Sequence, residues 1–144
     1  MLITMPDWIE HIDHTGDAGF IVQADSLSGL YERAAWAMFA EVITDIETVR
    51  PRKAFSFQLD ADDAEALMLA WLSELNFRHI TEELVFCRFE VTRIQPDHLE
   101  AVAYGEHIDP GRHEIYTEIK AVTFHELRIS RQGDLFTARI IFDL

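Results

Sequence analysis

The chain has 144 residues, of which 49% are hydrophobic and 11% aromatic, too apolar for a disordered polymer and enough for one core without disulfide or metal staples. Its 26 acidic against 12 basic side chains leave a net charge of −14, which repels phosphate backbones and anionic lipids and argues against direct nucleic-acid binding and a membrane role. The single Cys87 excludes an internal disulfide, and the first residues lack the basic region and apolar stretch of a signal peptide, so the expectation is a cytoplasmic protein.

Trp8–Ile12 and Phe20–Ala24 read as two short strands with weak alternation. From Asp25 to Ile43 the apolar positions Leu27, Leu30, Tyr31, Ala34, Ala35, Met38 and Val42 recur at three and four residues, which predicts a helix with Ser26 as its N-cap. Phe55, Phe57 and Leu59 then alternate with polar or small residues, as a half-buried strand requires. A second helix is expected over Asp62 to Ile80, with Leu67, Met68, Trp71, Leu72 and Leu75 on its buried face and Asp62 with Glu65 at capping-box spacing.

Two hairpins follow. Val85, Cys87, Phe89 and Val91 share one side of a strand that turns through Gln95-Pro96-Asp97-His98 into Leu99 to Tyr104. Val122 to Ser130 and Leu135 to Phe142 are joined across Arg131-Gln132-Gly133-Asp134, and alternation sets Thr123 and His125 on one face, Val122 and Phe124 on the other. The segment Glu106 to Glu114 is irregular. Strands in runs with two helices inserted early predict an α+β fold, a single domain over 1–144 of antiparallel or mixed sheet with two main helices.

Chemistry-bearing residues cluster in few places. An acidic loop, His14-Thr15-Gly16-Asp17-Ala18-Gly19, lies near the start, and Asp143 stands beside Leu144 at the other end. Ends of a compact domain often lie close together, so these oxygens could share a hard cation, with small Gly16 and Gly19 giving carbonyls access to it. His11, Asp13, His14 and Asp17 resemble a transition-metal set, but no second paired motif supplies the remaining ligands. Asp60, Asp62, Asp63 and Glu65 are carboxylates favoured at a helix N-terminus. Glu106, His107, Asp109, Arg112, His113 and Glu114 could serve acid–base chemistry or form a solvated loop, and Lys120 and His125 fall on or beside a strand. Trp36 and Trp71 read as packing residues, and no nucleophile elbow is present.

Several blocks in order resemble the archease family: His14–Gly19, Ala34–Phe39, Trp71–Leu75, Ala103–Glu106, Arg112–Ile115, Glu118–His125 and Ile141–Leu144. The resemblance implies a non-catalytic activator of an RtcB-type RNA ligase in tRNA splicing or RNA repair, promoting ligase guanylylation and multiple turnover. It also implies a chaperone role toward a tRNA methyltransferase. The implied metal is calcium, with magnesium or manganese as alternatives, held by Asp17, Asp143 and a main-chain or terminal oxygen of Leu144. Lys120 is then the functional cation, His14 orients the loop, and His125 belongs to the same surface. Gly16 and Phe124 depart from the family's Ala and Tyr without removing an oxygen ligand. Two other classes fit the residues: a metal-dependent phosphoester or nucleotide hydrolase using His14 or His125 as base, and a general protein chaperone.

Overall fold

A computed structural model describes residues 5–14 and 17–144, with the side chains of Asp13, His14 and Asp17 outside the described set. The predicted Thr15-Gly16 part of the acidic loop also falls outside it. The order is β1 (Ile9–His14), β2 (Asp17–Ala24), α1 (Leu27–Val42), β3 (Lys53–Asp60), α2 (Ala64–Glu82), β4 (Leu84–Gln95), β5 (His98–His107), β6 (Ala121–Gln132) and β7 (Leu135–Asp143). A turn of 3-10 helix covers Ile46–Thr48. This is the expected α+β class, with every described strand pair antiparallel.

The strands form two sheets, ordered β1-β2-β7-β6 and β3-β5-β4. Helix α1 packs on β4 of one sheet and on β2 and β7 of the other, while α2 packs on β6 and also on β3, β4 and β5. The helix layer therefore joins both sheets through one core. That explains why α1 buries Ala37 and Phe39 besides the residues its periodic stripe predicts: a helix touching two sheets is apolar over more than one face. Tyr31 of α1 and Trp71 of α2 lock the helices together, with Trp71 Nε1 donating to the Tyr31 carbonyl at 3.0 Å and Tyr31 Oη to the Ala64 carbonyl at 2.6 Å.

Both helices are capped as their sequences require, with one shift. Ser26 accepts from Gly29 N–H at 3.0 Å, as expected. At α2 the cap is Asp63, accepting from Ala66 N–H at 2.8 Å, and not Asp62; the capping box with Glu65 does not form because Glu65 lies only two residues after the true cap.

The hairpin turns fall where expected, with Gly133 at φ +63 in the β6–β7 turn. Bulges break the period of two elsewhere. The register shifts between Phe86 and Arg88, so Phe86 is fully buried while Cys87, half-buried, still packs against the core. A larger irregularity spans Thr123 to Arg128, with Glu126 at φ +53. It leaves Phe124 62% exposed, where strict alternation would bury it with Val122.

Candidate functional site

Register, not sequence spacing, assembles the predicted positions. In β1–β2, His14 pairs with Asp17; in β2–β7, Asp17 pairs with Asp143; in β7–β6, Asp143 pairs with Ala121. These four residues form one row across the end of the first sheet. Opposite residues of antiparallel strands lie about 4.5–5.5 Å apart at Cα, so Asp17 and Asp143 are backbone neighbours. Lys120, immediately before β6, joins the same end: its N–H donates to the Asp143 carbonyl at 2.9 Å.

The row exists because β7 is central. Its apolar positions Ala138, Ile140 and Phe142 are buried against the helices, and that burial fixes the register that carries Asp143 to the exposed rim. Gly19 of β2 has a packing role: a Cβ there would collide with the Ile140 carbonyl oxygen, so Gly19 lets β2 and β7 approach.

Asp143 is exposed, and its carboxylate has no hydrogen bond or ion pair among the described residues. Its main-chain oxygen is already engaged by Lys120, which leaves the carboxylate and the following Leu144 as oxygen donors at this rim. Two acid-bearing positions directly opposite each other are unfavourable unless a cation offsets them. Carboxylate and carbonyl oxygens are the ligands that hard divalent ions take. Among the described residues no group of three His, Cys, Asp or Glu makes a metal cluster, the Asp17 side chain lying outside that set.

His125 is not in the row. It lies in the β6 irregularity, largely exposed, with Nε2 3.7 Å from Glu126. Trp71 is fully buried, as a packing residue should be, while Trp36 is half-buried and meets Trp8 edge-on at 5.4 Å.

The segment expected to be either acid–base machinery or a solvated loop is exposed at His107, Asp109 and Glu114 and anchored by the buried Glu106 and His113. Glu106 is buried, and Arg112 grips it with two bonds, Nη1 to Oε2 at 2.6 Å and Nη2 to Oε1 at 3.0 Å. Arg50 N–H donates to Oε2 at 2.8 Å and His113 Nε2 lies 2.9 Å from it. Hydrogen bonds from Arg112 hold the Glu106 carboxyl down at about 2. This network pins residues 108–120 against the end of α1, where Thr44 N–H donates to Glu114 at 2.9 Å and Tyr116 N–H to Val42 at 2.7 Å. It thereby delivers Lys120 to the rim. Sequence reasoning missed the role because Arg50 comes from another loop; the one available signal was an acid, an Arg and a His concentrated beside a strand end.

A cleft of about 280 Å³ adjoins Lys120, bounded by α2 and the start of β6. No helix among the described residues is long and apolar enough to cross a membrane.

Comparison with known proteins agrees with this architecture. The model of the Archease protein family (MTH1598/TM1083) matches residues 9–144. Protein archease of Methanopyrus kandleri is 37% identical over 138 residues, covering 94% of this chain and 98% of that one. The solution structure of Methanobacterium thermoautotrophicum protein 1598 superposes with a TM-score of 0.82 at 40% identity, covering 95% of this chain and 99% of that one. A Thermotoga maritima archease, described as a possible chaperone, shares the fold with a TM-score of 0.63 at 19% identity, covering 100% of this chain and 99% of that one. With a family model spanning nearly its whole length and curated relatives matched end to end, this chain belongs to the archease family.

Proposed function

We propose that this chain is a non-catalytic activator of an RtcB-type RNA ligase and holds a divalent ion, calcium first, at the rim formed by Asp17, Asp143 and Leu144. The observation that carries the reading is the row His14, Asp17, Asp143, Ala121, which makes the two acidic positions neighbours and brings Lys120 beside them. Family membership supports the same reading. When bound, the ion supplies a positive centre for phosphate oxygens. Asp17 and Asp143 hold it, and Lys120 offsets negative charge on a nucleotide presented by the ligase. The −14 surface steers the chain to a basic, RNA-binding partner and speeds encounter.

The test compares wild type with Asp17→Ala and Asp143→Asn in ligase guanylylation and multiple-turnover ligation, with terbium luminescence as a separate readout of ion binding. Both variants should lose terbium binding and stimulation while melting within a few degrees of wild type. Full stimulation by either variant would remove the rim from the mechanism. Nucleotide or phosphoester hydrolysis by the chain alone, lost in the same variants, would replace the activator with a metal-dependent hydrolase.

A further inference from the structure

The cleft beside Lys120 has two unlike walls. On α2, Phe77 is 57% and Ile80 43% exposed, two large apolar side chains one helical turn apart that face water. Opposite them runs the rim of a sheet: β6 is the last strand of its sheet, so Ala121 to Thr123 pair with β7 on one side and with no described strand on the other. The irregularity after Thr123 ends the straight edge there. Asn76 forms the floor. It is 6% exposed, its Nδ2 donates to the Ile119 carbonyl at 2.8 Å, and its Oδ1 has no hydrogen-bond partner among the described residues. A buried acceptor left unpaired is a standing cost to the free chain. Lys120 stands at the mouth, exposed and without an ion pair among the described residues.

We propose that this cleft receives an extended peptide segment of a partner protein, which adds as a short strand to the open edge of β6. A groove with an edge strand on one side and a helix on the other lets main-chain hydrogen bonds supply affinity and alternate side chains supply selectivity. An aliphatic side chain of the segment packs on Phe77 and Ile80. A carboxylate on the segment meets Lys120. A mononucleotide would engage Lys120 and one apolar face yet leave the strand edge unpaired, so a peptide accounts for more of the site. The short regular edge, Ala121 to Thr123, limits the added strand to a few residues.

The test is selection of random displayed heptapeptides against the whole chain, then mapping of the selected peptides by amide shifts. The expected result is enrichment of an aliphatic residue within two positions of Asp or Glu, with shifts confined to residues 73–80 and 119–123. Ile80→Glu, at a half-exposed helix position that tolerates charge, should weaken the selected peptides about tenfold or more, a loss of about 1.4 kcal/mol. Circular dichroism confirms that the variant is folded. No enrichment over the Ile80→Glu control, or shifts elsewhere, overturns the proposal. So does dimerisation abolished by Ile80→Glu, which gives the cleft to a second copy, or displacement of the peptides by GTP, which gives it to a nucleotide. No ligase enters the experiment, so its failure is read separately from loss of ligase stimulation.

Discussion

Glu106 is a carboxylate that water barely reaches, and three kinds of donor surround it. Arg112 is the strongest, Arg50 N–H adds a main-chain bond, and His113 closes the third side. The folded carboxyl titrates at about 2 against an ordinary 4.5, so its contribution is present above about 4.5 and is lost as pH falls toward 2. Glu106→Gln should therefore cost about 3 kcal/mol at pH 7, the low end of the range for breaking a buried pair because Arg112 keeps some solvent. Denaturant melts of variant and wild type should converge as pH falls through that window; a constant difference would deny the linkage. His98 has the opposite sign. Its two ring nitrogens each lie 2.7 Å from a carboxylate, Glu100 and Asp60, and these hydrogen bonds raise its pKa above 6.5. The stabilisation is complete below 6.5 and is lost as pH rises through the raised folded value. A His98→Gln variant should melt below wild type at pH 6 and draw level at alkaline pH, with the imidazole proton shifts of wild type giving the midpoint. Only the local members of each network were legible in the sequence, since Asp60 lies 38 positions from His98 and Arg50 lies 56 from Glu106.

The elements themselves were largely legible, because periodicity and capping are local. The two helices, the two long hairpins and Gly133 in its turn follow from spacing and turn chemistry within a few residues. What escaped are the bulges. One extra residue at Cys87 and the wider irregularity around Phe124 to Leu127 depend on the partner strand, so alternation extrapolated through them misses the burial of Phe86 and assigns Phe124 to the wrong side. The α2 cap shows the resolution limit of local reading: Asp62 and Asp63 are both good caps, and only the fold selects Asp63. Asp63→Ala should cost about 1 kcal/mol, while Asp62→Ala should stay within about 0.5 kcal/mol. Equal losses in thermal melts would mean that helix-end charge, and not the bond to Ala66 N–H, sets the stability.

At the scale of the whole molecule, the sequence offered the meeting of its two acidic ends only as an expectation, because register across β2, β7 and β6 is a long-range property. The helix layer enforces it. Buried residues of α1, α2 and both sheets form one continuous cluster, and Phe39 lies within it, fully buried and edge-on to Phe86 at 5.3 Å and to His79 at 5.9 Å. Phe39→Ala should remove about 3–5 kcal/mol through lost burial and a residual cavity, a large share of the about 5–15 kcal/mol that holds a typical domain together. Because α1 touches both sheets, the loss should fall on both. Amide exchange in β5 and β7 should accelerate by the same factor in the variant, and denaturant melts should remain a single transition. If β5 opened while β7 kept its protection, the sheets would be separate cooperative units. The acidic rim could then persist without the β3-β5-β4 sheet, and the helix layer would not be what holds Asp143 opposite Asp17.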